Sequence, residues 1–162
     1  MSDILIKLNG IADISKEQNE VVERISIGPQ ADCQIYGKEG TFCVVRNGED
    51  AIASIGYVCH IDGDSVQATL SHVLSTFDES QIGDLKKKLV GQYVLLIKKS
   101  DSIYLFSDFM GTRNIFYSDD GQVVSTSFSK VEDILGTSAS DLDTYKVFEF
   151  LAMRHVAYPA WL

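Results

Sequence analysis

Few side chains in this sequence are typed and spaced for chemistry. Cys59 and His60 are adjacent in a strand-like run, so their side chains point to opposite faces. A catalytic thiol–imidazole pair needs both groups within hydrogen-bond reach, which that placement denies. Cys33, Cys43, Cys59 and His60 offer metal-ligating atoms, but their spacing fits no zinc pattern. His72 falls within a helical stretch and His155 beyond the last one, and both read as surface or packed histidines. The carboxylates are scattered and form no acid–base pair. Ser2 becomes the first residue if Met1 is removed, and a terminal serine can act as a nucleophile with its own α-amine as base. No G-x-G-x-x-G and no phosphate-binding loop is present, so nothing supports a nucleotide site. The residues by themselves assign no catalytic, cofactor-binding or metal residue.

The totals restrict the function classes further. The 162 residues suit one domain, and 45% apolar with 23% charged is globular composition. A net charge of −9 opposes a nucleic-acid or anionic-membrane role. The basic run Lys86-Lys87-Lys88 lies near the end of an expected helix, where it complements the dipole. Three cysteines without a CxxC pair read as reduced thiols. No signal-peptide pattern opens the chain, and no apolar run reaches the roughly 20 residues that span a bilayer. A cytoplasmic protein is expected.

The elements follow from pattern. Ile4 to Leu8 reads as a strand, broken by Asn9-Gly10 and resumed at Ile11 to Ile14. Ser15 to Gln34 is aperiodic, with a turn signal at Gly28-Pro29, and reads as mostly loop. Thr41 to Arg46 and Ala51 to His60 form a hairpin about Asn47-Gly48. Asp64 is the expected cap of a helix whose stripe Val66, Leu70, Val73, Leu74 and Phe77 faces a core. A second helix is expected over Ser80 to Leu89. Strands follow at Gln92 to Lys98 and Ser102 to Phe106, then a hairpin of Asn114 to Ser118 with Gln122 to Thr126. Helices are expected at Ser129 to Leu135 and Leu142 to Ala152. Hairpins with a central helical pair argue for an α+β fold of antiparallel sheet layered with helices.

One stretch is more specific. Leu89 to Ile97 (LVGQYVLLI) is similar to the "L-x-G-x-F-A-F-x-I" strand of the N-terminal glutaminase domain of class B asparagine synthetases. Leu105 to Tyr117 (LFSDFMGTRNIFY) resembles that family's "L-x-x-A-R-D-x-x-G-x-[KR]-P-L-Y-Y", and Val123 to Val131 its following hairpin. The likeness covers Leu85 to Met153. It implies the N-terminal-nucleophile (Ntn) hydrolase fold, a four-layer αββα sandwich of two antiparallel sheets flanked by helices. For Asp108, Gly111 and Arg113 it implies an architectural role first, with ligand contact as the alternative. On physical grounds Gly111 supplies a turn, Asp108 accepts hydrogen bonds from it, and Arg113 pairs with Asp108 or a neighbouring carboxylate.

The family's catalytic residues do not carry over. Its start, "C-G-I-x-G-I", finds its best local match at Asn9 to Ile14, where Asn9 replaces the cysteine. Placing Ser2 first instead leaves Asp3-Ile4-Leu5 unlike the residues that follow the nucleophile. Of "N-G-E-I-Y-N" only Gly56, with Tyr57, survives in Ser54 to His60. The "S-D-T-E" amine clamp has no counterpart near Ser71 to Asp84. The resemblance therefore implies a silent glutaminase-like domain, as in beta-lactam synthetase and lasso-peptide cyclases. The family would continue beyond Leu162 into a synthetase domain carrying ATP and Mg²⁺; this chain is expected to bind no cofactor itself. It would be a fragment or a free-standing remnant, with a synthetase domain, another protein or a second copy as partner. A stand-alone interaction module and an active hydrolase using Ser2 are the rival expectations.

Overall fold

The structure, a computed structural model, describes residues 2–8, 21–26, 31–38, 40–63 and 65–136. Antiparallel ladders and short turns organise these residues. Strands β4 (Phe42–Asn47) and β5 (Asp50–His60) pair from Asn47↔Asp50 outward, with Gly48 at φ +61° in the tight turn. Strands β6 (Leu89–Lys99) and β7 (Ser102–Ser107) pair from Lys99↔Ser102, and Ser100 takes the positive φ there. Between β5 and β6 come α1 (Val66–Thr76), a 3₁₀ turn (Glu79–Gln81) and α2 (Ile82–Lys88). They cross one face of the sheet, so β5 and β6 return as antiparallel neighbours from Ala51↔Lys98 to His60↔Leu89. The resulting four-stranded sheet has the order β4-β5-β6-β7.

The second sheet has five strands in the order β2-β3-β1-β9-β8. They are β1 (Asp3–Leu8), β2 (Val21–Ser26), β3 (Ala31–Tyr36), β8 (Phe116–Tyr117) and β9 (Val123–Ser125). Helix α3 (Phe128–Leu135) follows and ends at Gly136, φ +64°.

Period-two alternation gives each sheet two buried faces. Ala51, Ala53, Ile55, Val94 and Leu96 meet Ile4, Ile6, Cys33 and Ile35 between the sheets. Ile52, Tyr93, Leu95 and Ile97 turn the other way, onto Leu70, Val73 and Leu74 of α1. Leu5, Tyr36 and Val123 pack under Val131 of α3. The layers run α1, four-stranded sheet, five-stranded sheet, α3: an α+β arrangement of two antiparallel sheets with helices outside.

Several boundaries differ from the sequence expectation. The segment Ser15 to Gln34 holds β2 and most of β3. Polar residues hid the alternation, because they are satisfied sideways within the strand. Gln34 donates to Asp32 at 2.9 Å and accepts from the Tyr36 hydroxyl at 2.5 Å, while Cys33 and Ile35 fill the core. Ser65, not Asp64, caps α1, accepting from the Ala68 N–H at 3.2 Å. Ser80 lies in the 3₁₀ turn capped by Asp78, so the second helix starts at Ile82. The Asn9 to Ile14 stretch, the Gly28-Pro29 turn and the helix over Leu142 to Ala152 lie outside the described residues. No helix among the described residues is long and apolar enough to cross a membrane. Ser65→Ala should cost about 1 kcal/mol, measurable as a lowered urea midpoint with an unchanged slope.

Candidate functional site

Strand lengths in the four-stranded sheet create a cleft at one end of β4. β5 runs eleven residues, but β4 accompanies it only as far as Phe42↔Ile55. Gly56 then departs from regular strand geometry at φ +83°, while its N–H still reaches the Thr41 carbonyl at 3.3 Å. A cleft of about 620 Å³ opens there, lined by Ser2, Thr41, Cys43, Gly56, Tyr57 and Arg113 among others.

Each of these side chains has a local reason for its position. Ser2 precedes β1, the middle strand of its sheet, and is only 3% exposed. Gly37 makes room for it, since a methyl there would fall 2.1 Å from the Ser2 hydroxyl oxygen. The Thr41 hydroxyl donates to the Lys38 carbonyl at 2.6 Å, so in the Ser2–Thr41 hydrogen bond Ser2 is the donor. The chain of hydroxyls thus ends on a backbone carbonyl, which is no proton acceptor at neutral pH. Among the described residues, Ser2 therefore has no side-chain base in this arrangement.

Arg113 arrives from the turn that follows β7. Asp108, 3% exposed, organises that turn. Its carboxylate accepts from the N–H groups of Met110 (3.0 Å) and Thr112 (3.3 Å) and from the Thr112 hydroxyl. Burial works against the Asp108 charge, yet these bonds outweigh it and hold the carboxyl below its usual range. Arg113 is not paired with Asp108, which corrects the sequence expectation, because Asp108 is turned inward onto its own loop. The half-buried guanidinium instead lies over Gly56, where an added methyl would sit 3.2 Å from its Nε. Gly111, φ +64°, takes the turn conformation expected of it.

Arg113 is the cationic side chain among the described lining residues, and no carboxylate stands with it. Such a cleft can hold an anion, but among the described residues it offers no acid to grip a substrate's amine. Burial raises the Cys43 thiol, which keeps it protonated and weakly nucleophilic.

The other candidates remain apart. Cys59 turns to the Val90 carbonyl at 3.8 Å, whereas His60 faces α1, its ring 6.0 Å from that of His72 and its Nδ1 3.0 Å from Asp62. Their opposite orientation is as expected for neighbours on a strand. His60 and His72 line a smaller cleft of about 200 Å³ with Asp78 and Asp84. Those carboxylates are engaged, by Ser80 and Lys87 respectively. Cys33 lies in the core, its thiol pushed up to about 12 by burial and then by Asp32. No three metal-ligating side chains stand together among the described residues. Asn9 and His155 lie outside them.

Sequence reasoning missed the convergence of Ser2, Gly56 and Arg113. Ser2 heads the first strand and Gly56 sits where the resembled motif keeps its glycine, but only the folded ladders bring them together. No family model, curated protein or solved structure matches the chain, so the reading of the cleft rests on its geometry.

Proposed function

We propose that this chain is a catalytically silent glutaminase-like domain of the Ntn-hydrolase type. It would belong to an ATP-dependent, amide-forming enzyme related to asparagine synthetases. Its role there is structural: it packs on the synthetase domain or docks a substrate or partner, and ATP and Mg²⁺ are handled outside this chain. The carrying observation is the cleft lining: beside Ser2, Gly56 and Arg113 no carboxylate stands among the described residues to grip the α-amine of a glutamine. Ile55, the residue before Gly56, is fully buried in the core and offers no oxyanion donor from its side chain. The layered sheets and the placement of Leu89 to Tyr117 as β6, β7, turn and β8 support the family reading.

A second reading is favoured by one feature, the placement of Ser2 beside Gly56 and Arg113. Loss of Met1 would give Ser2 a free α-amine as its base, and the chain would then be an amidohydrolase. Ammonia release from glutamine, measured on protein whose N-terminus is defined by mass spectrometry, separates the two. The expected result is no turnover above that of Ser2→Ala. Robust turnover that Ser2→Ala abolishes would overturn the silent-domain reading and establish the second.

A further inference from the structure

Among the described residues, part of the β6 edge on the side away from β5 has no neighbouring strand. It pairs with β7 only from Val94↔Ser107 to Lys99↔Ser102, and one more bond joins the Asp108 N–H to the Tyr93 carbonyl at 3.0 Å. The chain then turns away at Phe109. No strand among the described residues covers the β7 side of Leu89 to Gln92. The Tyr93 carbonyl points toward that side, so by alternation the peptide groups of Gly91 do too.

A groove of about 410 Å³ lies along this edge, lined by Lys86, Lys87, Val90, Gly91, Phe109 and Met110 among others. Three of its apolar members are strongly exposed, Val90 by 49%, Phe109 by 67% and Met110 by 79%, over a floor that includes the buried Leu89. The turn carrying Phe109 and Met110 is braced by four hydrogen bonds to Asp108, three to its carboxylate and one from the Gly111 N–H to its carbonyl. These two side chains are therefore held out by a rigid turn, which is how an interface anchor is preorganised. Charge selects the occupant further. The protein carries −9 overall, yet this rim presents Lys86 and Lys87; Lys87 is paired with Asp84 at 2.9 Å, and the lining carboxylate, Asp108, is turned into its own loop, which leaves Lys86 as the cation facing the groove.

We propose that this groove docks an extended acidic peptide segment, which adds as a strand to the open edge of β6. Its backbone would meet Gly91, its apolar side chains would pack on Val90, Phe109 and Met110, and its carboxylates would face Lys86. The surface is distinct from the Ser2 cleft, and the inference stands whether or not that cleft is catalytically silent.

The test uses the full chain and a fluorescein-labelled, end-blocked peptide of about eight residues, glutamate alternating with leucine. Fluorescence anisotropy should show saturable binding that weakens as salt rises. Phe109→Ser with Met110→Ser should weaken it at least about tenfold. Lys86→Glu should weaken it and flatten the salt dependence. N-methylation of alternate peptide amides should also abolish binding, because strand addition needs those donors; that probe and Lys86→Glu carry the test if the double variant misfolds. Absence of saturation, equal binding of the lysine-for-glutamate peptide, or indifference to N-methylation would overturn the proposal. Sedimentation of the chain alone should give a monomer. A dimer dispersed by the double variant would assign the groove to a second copy and overturn the peptide.

Discussion

Gly91→Ala is expected to lower the unfolding free energy by about 4 kcal/mol, a large share of what a domain of this size typically has. Gly91 lies opposite Val58 in the β5–β6 ladder, at φ +133°. An alanine methyl would stand 2.1 Å from the Tyr57 carbonyl oxygen and 3.0 Å from its carbon. Those are backbone atoms held by the neighbouring strand, so no side chain can swing aside to relieve the contact. Gly56, at φ +83°, has the same constraint from the other side, with the Gln92 carbonyl oxygen 2.2 Å away. Gly48 provides the control, since its φ is +61° but nothing lies within 4 Å of an added methyl. Gly48→Ala should cost only about 1 kcal/mol. Urea unfolding of both variants measures the difference. Equal losses in Gly91→Ala and Gly48→Ala would mean that the close approach of the strands contributes nothing.

Asp108→Asn should cost about 3 kcal/mol at neutral pH, with a pH signature. The asparagine oxygen can still accept from the N–H groups of Met110 and Thr112, which share one carboxylate oxygen, but its NH₂ replaces the oxygen that accepts from the Thr112 hydroxyl, and the charge that strengthens all three bonds is lost. The Asp108 carboxyl is held below its usual value in the folded protein. Its charged form therefore stabilises the fold fully above the ordinary carboxylate range, about pH 4. That contribution is lost as pH falls through the lower folded value. The gap between the parent and Asp108→Asn should narrow below about pH 4, and a constant gap would assign the effect to shape alone. The same substitution loosens the turn that aims Arg113 into the cleft and Phe109 and Met110 outward. Acidic-peptide binding should weaken with it even where the protein remains folded.

The hairpins were legible because turn chemistry and alternation are local. Asn47-Gly48 fixes its turn through backbone conformation, and the apolar run of β6 declares a strand buried on both faces. Leu70, Val73 and Leu74 declare the inner face of α1 in the same way. β2 and β3 were not legible, because Asp32, Gln34 and Tyr36 satisfy one another across strand positions and so mask the period. The α1 cap was missed by one residue: Asp64 and Ser65 are both of capping type, and it is Ser65 that accepts from the Ala68 N–H.

Of the functional surfaces, sequence alone determined the parts and tertiary structure decided their meaning. The sequence determined that Asp108 would accept hydrogen bonds within a turn, that Gly111 would supply the turn conformation, and that Cys59 and His60 would face opposite ways. All of these follow from residue type and spacing within a few positions. It could not set Ser2 beside Thr41, Gly56 and Arg113, because those contacts span 39 or more positions and depend on how two sheets stack. Nor could it expose the open edge of β6. That edge exists because β7 ends at Ser107 while β5 and β6 run on, a difference in ladder length that only the paired strands define.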